Sequence, residues 1–281
     1  MKKRGIVDII YLILYFIIGV VCPVGDFSTF QEVAELNISK KKNAIEHRPE
    51  DVILNSKSPF SVVEAYKNLR TNVMYSIPRN EKGKTVVITS SSASEGKTTT
   101  CINLAITFAQ MNARVLLMDC DLRKPRVYRY LKLDKKEGIS NVLCGFADLE
   151  NTLQVNVREN LDVLASGDIP PNPAELLQTK AFDKMMAVLQ KVYDYIIIDT
   201  PPINVVMDAA NIIKHSDGTI LLVKKGATTY DMVDDAIERL EKIDAKLIGT
   251  IMIDDVDNSG SEYKRSVYNY RYKDSVARPK K

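Results

Sequence analysis

The sequence predicts an α/β fold, a mostly parallel β-sheet flanked by helices on both faces. Three observations predict it. Short, almost continuously apolar runs rich in Val, Ile and Leu recur between residues 85 and 254, and amphipathic runs separate them. That is the pattern of strands buried on both faces and covered by crossover helices. At residues 90–100 the stretch SSSASEGKTTT stands where one such strand passes into a helix. After Asp254 the core-forming period stops, so residues 256–281 read as a disordered tail rich in tyrosine.

A chain of 281 residues that is 45% hydrophobic is long enough for one large domain with appendages and does not depend on disulfides. Its formal net charge of +3 gives no case for a nucleic-acid partner. Cys22, Cys101, Cys120 and Cys144 are far apart, without a CxxC pair, so they read as reduced thiols. His47 and His215 are the only histidines, which excludes clustered-His metal chemistry.

Taken in order, residues 1–24 begin with Lys2, Lys3 and Arg4 and continue apolar from Ile6 to Val24, broken by Asp8 and Gly19. That length reaches the ~20 residues of a membrane span. "GVV" before Cys22 is a poor cleavage site for a signal peptide. The basic start puts the N-terminus inside and the remainder outside. The topology of this segment stays open.

Residues 25–57 are polar, with little period, and read as a linker. A domain follows over 58–255. It opens on a helix from Pro59 in which Tyr66, Leu69 and Val73 form an apolar face and Glu64, Lys67 and Arg70 form a charged ladder. Strands follow at 85–90, 114–119, 161–166, 195–199, 218–224 and 246–254, with helices at 97–112, about 124–131, 173–191, 205–214 and 229–243. Ligands of such sheets bind beyond the carboxyl ends of the strands.

At that edge Ser91–Thr98 has the phosphate-loop spacing, with Ser91 where the first glycine usually stands. Backbone N–H groups of Ser92, Ala93, Ser94, Glu95, Gly96, Lys97, Thr98 and Thr99, turning into a helix N-terminus, make a site for the phosphates of ATP. Lys97 would reach the β and γ oxygens, and Thr98 would ligate Mg2+. Two strands deliver carboxylates to the same edge: "VLLMDCDLRKP" carries Asp119 and Asp121, and "YDYIIIDTPP" carries Asp199. Three strand-end acids beside a phosphate loop point to a shared magnesium site.

These three motifs in this order, with "EAYKNLRTN" before them and the tyrosine-rich end after them, resemble the bacterial tyrosine kinases of capsular and exopolysaccharide biosynthesis. The resemblance covers residues from about 55 to the C-terminus. It implies a phosphate-loop NTPase fold and ATP- and Mg2+-dependent autophosphorylation that regulates polysaccharide polymerisation and export. Lys97, Asp119, Asp121 and Asp199 become the catalytic set. Within it Asp121 is the base or the metal-organising carboxylate, Asp119 supports it, and Thr98, Asp121 and Asp199 hold the metal. Arg123 has a supporting role. Tyr263, Tyr268, Tyr270 and Tyr272 become phosphate acceptors reached from a neighbouring subunit of a ring. Glu64, Lys67 and Arg70 become the ring contact, with Lys67 where the family has arginine, which loses the planar fork. The implied partners are a transmembrane chain-length adaptor and a cognate tyrosine phosphatase, at the cytoplasmic face of the membrane.

Two other readings share these motifs. A partitioning-type ATPase carries a signature lysine second in the phosphate loop, where this chain has Ser92. A nucleotide-gated assembly scaffold without tyrosine transfer would not need the complete set of Lys97, Thr98, Asp119, Asp121 and Asp199.

Overall fold

The computed structural model describes residues 13–14, 52–78, 82–134 and 137–253. Apart from Ile13 and Leu14, the apolar segment 1–24 lies outside the described residues, as do most of the linker and the whole tail. Among the described residues no helix is long and apolar enough to cross a membrane.

In chain order the elements are β1 (Ile13–Leu14), α1 (Phe60–Ser76), β2 (Lys84–Ser90), α2 (Lys97–Ala109), β3 (Val115–Asp119), α3 (Val127–Tyr130), α4 (Ile139–Leu143), α5 (Leu149–Thr152), β4 (Gln154–Arg158), β5 (Leu161–Leu164), α6 (Pro173–Leu176), α7 (Lys180–Val192), β6 (Tyr195–Asp199), α8 (Asp208–Ile213), β7 (Gly218–Lys224), α9 (Tyr230–Lys242) and β8 (Leu247–Ile253). Strands β2 to β8 make the sheet, in the order β8-β7-β2-β6-β3-β5-β4, and the two-residue β1 pairs beside β8. Every pairing is parallel except β4 with β5. The parallel strands β2, β3, β5, β6, β7 and β8 therefore all end at one edge.

Successive residues of the central strands point to opposite faces, and each face has its own core. Val86, Ile88, Leu117 and Ile197 pack with α1 and α2 on one side. Val87, Leu116, Met118, Ile196 and Ile198 pack with α7, α8 and α9 on the other. Helix α2 lies between the sheet and α1, and 11 of its 13 residues are buried. Helix α1 ends where Ile77 is extended before Pro78, because proline cannot continue a helix and its predecessor is pushed out of the helical region.

The structure adds the short helices α4 and α5, which the sequence reading lacks, and differs from that reading in three further respects. Folded chain begins before residue 58: Ile53 and Leu54 are buried, held by backbone bonds with the buried Asn103 side chain of α2, which accepts from Leu54 N–H at 2.8 Å and donates to Val52 O at 3.0 Å. The helix expected over 173–191 is two helices, because Thr179 caps a new start at Lys180, its side chain accepting from the Phe182 N–H. Strand β4 (QVNVR) went unread; it is an edge strand with two exposed residues at its centre, so it lacks the apolar run that marks the others.

Candidate active site

The edge where the parallel strands end carries the chemistry. Strand β2 stops at Ser90, and the chain turns through residues 91–96 into α2. Two residues of the turn are left-handed: Gly96 at φ 93° and Ser94 at φ 65°. Gly96 meets that demand without steric cost, whereas Ser94 is a non-glycine residue held there by its loop. Lys97 is buried, and its Nζ donates to Ser90 Oγ at 3.0 Å, while Ser90 Oγ donates to Ser92 O at 2.6 Å. The ammonium thus folds back over its own loop. Glu95 is also buried, and its carboxylate accepts from Ser91 Oγ at 2.8 Å and from the Ser92 N–H at 3.0 Å. Ala93 and Ser94 stand exposed at the tip.

Strands β3 and β6 set Asp119 and Asp199 side by side in register. Both are buried. Asp199 accepts from Thr98 Oγ1 at 2.5 Å, which ties the end of β6 to the first turn of α2. Asp119 Oδ2 accepts from the N–H groups of Arg126 and Val127, each at 3.0 Å, so one oxygen fixes the start of α3. Its Oδ1 is buried with no partner among the described residues. Burial pushes the Asp119 carboxyl well above the usual carboxylate range, and neighbouring Asp199 and Asp121 add to that. Asp199 is raised by burial too, against the pull of the Thr98 hydroxyl and the Lys97 charge. Asp121 is half-buried, and its Oδ1 accepts from the Lys124 N–H at 3.0 Å.

Asp119, Asp121 and Asp199 do not form a ready-made cage, since among the described residues no three His, Cys, Asp or Glu side chains are grouped to hold a metal. A site with one or two carboxylates and a hydroxyl suits Mg2+, which keeps waters and takes its other ligands from phosphates. The unpartnered Oδ1 of Asp119 and the Thr98–Asp199 pair are hard oxygen donors of that kind. Cys101 and Cys120 flank the acids, but burial pushes both thiols up, so neither is an activated nucleophile.

Other predicted residues stand away from this edge. On α1, Lys67 pairs with Glu64 at 2.9 Å, whereas Arg70 donates from Nη1 to Thr107 O at 2.7 Å within the same chain. Tyr263, Tyr268, Tyr270 and Tyr272 lie outside the described residues. The described chain nevertheless ends beside the phosphate loop, because a methyl group on Gly96 would lie 3.7 Å from Ile253 Cγ1.

Sequence reading missed Asp208 and Thr228. Arg123 makes a forked ion pair with Asp208, Nε to Oδ2 at 2.8 Å and Nη2 to Oδ1 at 3.0 Å. Thr228 reaches Glu95. An Asp opening a helix and a Thr in a polar turn are ordinary capping signals, and nothing local pairs them with residues 85 and 133 positions away.

A family model described as an AAA domain matches residues 83–253. The chain is 38% identical over 231 residues to the tyrosine-protein kinase YwqD of Bacillus subtilis, covering 82% of this chain and 94% of that protein. It is 30% identical over 210 residues to the tyrosine-protein kinase Wzc of Salmonella typhimurium, covering 75% of this chain and 29% of that longer protein. Among solved structures, the kinase domain of the Escherichia coli tyrosine kinase ETK superposes with a TM-score of 0.67 at 27% identity, over 78% of this chain and 88% of that one.

Proposed function

The chain belongs to the AAA-domain family and, within it, to the bacterial tyrosine-protein kinases, and on that premise we propose that it moves the γ-phosphoryl group of ATP to tyrosines of its own C-terminal tail. The observation that carries the proposal is the meeting of Lys97, the Thr98–Asp199 pair and the unpartnered Asp119 Oδ1 at one sheet edge. In the reaction a tyrosine oxygen bonds to the γ-phosphorus, the bond from that phosphorus to the bridging oxygen breaks, ADP leaves, and the phenolic proton goes to a base.

Each residue has a part. The backbone N–H groups of residues 92–99 cradle phosphate oxygens, a role that needs small side chains and a helix N-terminus more than any one residue. Lys97 swings from Ser90 to the β and γ oxygens and stabilises the charge of the loose transition state. Thr98 and Asp199 would hold Mg2+, with Asp119 supporting them, which leaves Asp121 for the proton. When bound, Mg2+ neutralises charge on the β and γ phosphates. Asp121, half-buried and on a loop open to solvent, takes the tyrosine proton.

The acceptors are Tyr263, Tyr268, Tyr270 and Tyr272. The last described residue, Ile253, lies beside Gly96 of the phosphate loop, which supports this reading. Acceptor tails come from a neighbouring subunit, in a ring held in part by Glu64, Lys67 and Arg70. Phosphates added to the tails bring repulsive charge that loosens the ring. Regulation of capsular or exopolysaccharide polymerisation and export, through a transmembrane chain-length adaptor and a cognate phosphatase at the cytoplasmic face of the membrane, follows from kinship with the named kinases.

Phosphosite mass spectrometry on the full chain incubated with Mg2+ and ATP, beside a Lys97→Met control, tests the proposal. Phosphate on the tail tyrosines that vanishes in the control is the expected result. A bare tail on a protein that still hydrolyses ATP would replace it with the partitioning-type ATPase.

A further inference from the structure

A buried carboxylate inside a phosphate loop calls for an explanation, because it brings a negative charge next to the place where phosphates bind. Glu95 is 2% exposed and lies between the left-handed Ser94 and Gly96. Two of its bonds run to the frame of the loop and one to the turn after β7. Oε1 accepts from Ser91 Oγ, Oε2 accepts from the Ser92 N–H, and Oε1 also accepts from Thr228 Oγ1. Ser91 occupies the position where the motif usually has its first glycine. Its hydroxyl is thereby fixed by the side chain four residues on.

Thr228 has its own anchor. The Lys224 N–H, at the end of β7, donates to Thr228 Oγ1 at 2.8 Å, and the Thr228 N–H donates back to Lys224 O at 2.9 Å. With its oxygen accepting from Lys224, the hydroxyl proton is directed to Glu95. A single chain of donors runs from the β7 backbone through Thr228 to the phosphate loop, and each bond polarises the next. Strand β7 is the neighbour of β2, so the bond joins adjacent loops of the same edge.

We propose that Thr228 is a positioning residue for the nucleotide. Acting through Glu95, it holds the phosphate loop in its binding shape and takes over the task that the missing first glycine performs by conformation alone. The inference rests on the nucleotide-site reading, but not on transfer to tyrosine. A hydrogen bond to a buried carboxylate is among the stronger ones, and without it the loop samples other shapes in the free protein. Apparent affinity falls in proportion to the population of the competent shape.

The test is calorimetric binding of Mg2+ and ADP to the full chain. Thr228→Val, which keeps the shape and removes the donor, should raise the Kd roughly tenfold, about 1.4 kcal/mol. Thr228→Ser should return it to within twofold of wild type, and in an E95Q background Thr228→Val should add less than twofold. A purely structural role would lower the melting temperature and leave the Kd in place. A Kd for Thr228→Val within twofold of wild type, or Thr228→Ser as weak as Thr228→Val, overturns the proposal. A wild-type chain that binds no Mg2+ and ADP fails the nucleotide reading itself and takes this proposal with it, an outcome distinct from an unaffected variant.

Discussion

Removing the Arg123 side chain should cost more than removing the charge of its partner. The guanidinium grips Asp208 through two bonds of 2.8 and 3.0 Å. The Asp208 side chain is 1% exposed and that of Arg123 is 43% exposed. Truncating one member of a fully buried pair costs about 3–5 kcal/mol, because the other charge stays buried and alone. Half of Arg123 is in water and its attraction is screened, so Arg123→Ala should cost about 2–3 kcal/mol. Arg123→Lys keeps the charge but loses the fork and should cost about 1 kcal/mol. Asp208→Asn frees an arginine that water can solvate, and should cost less than Arg123→Ala. Urea unfolding of Arg123→Ala, Asp208→Asn and the double variant of these two gives the coupling, expected at about 2 kcal/mol. The pair also joins the loop that carries Asp121 to the first turn of α8, so single-turnover phosphate transfer should fall about 10–100-fold in Arg123→Ala, in proportion to the misplacement of Asp121. A coupling near zero, or Asp208→Asn more damaging than Arg123→Ala, would refute the reasoning.

Other outcomes follow from the same geometry. Asn103→Ala removes the two bonds, one buried and one part-buried, that hold residues 52–54 and should cost about 2–4 kcal/mol, with protease cleavage appearing near residue 52 before the rest of the domain opens. Lys97→Met should abolish tail phosphorylation and leave the melting temperature within a few degrees of wild type, since the side chain gives up one bond to Ser90 and its buried charge together. Burial, with Lys214 beside it, holds the His215 imidazole below its ordinary value of 6.5, against the pull of Asp183. The unfolded chain therefore binds the proton more readily, and stability that is complete above pH 6.5 declines as pH falls through and below that value. Urea midpoints between pH 5 and 8 should show that decline in wild type and less of it in His215→Asn, and equal slopes would remove His215 from the account.

The interior of the fold was legible because parallel strands buried on both faces spell themselves out. Continuous apolar runs such as VLLM before Asp119 and YIII before Asp199 have no competing reading once helices alternate with them. Strand β4 was not legible for the converse reason. Its antiparallel place at the edge leaves Val155 67% exposed, and the alternation of QVNVR has only two apolar positions, without the continuous apolar run that marks the other strands. The start of the domain was hidden differently: Val52, Ile53 and Leu54 are a short apolar run in polar surroundings, and only the carboxamide of Asn103, on another element, says that they belong to the core.

In the site the division runs between groups that face the ligand and groups that hold them. Lys97, Thr98, Asp119 and Asp199 sit at strand ends or in the first turn of a helix, so local pattern alone brings them to one edge. Their supports come from across the sheet. Asp208 reaches Arg123 over 85 residues and Thr228 reaches Glu95 over 133, and polar residues in turns carry no sign of which distant group they will meet. Asp119 shows why role and position separate: one oxygen caps α3, the use expected of an ordinary strand-end acid, and the other stays buried without a partner among the described residues. Capping keeps the carboxylate rigid while leaving a lone pair to spend. A residue can therefore be structural through one atom and available to a ligand through the next, and the sequence, which counts residues, cannot divide them.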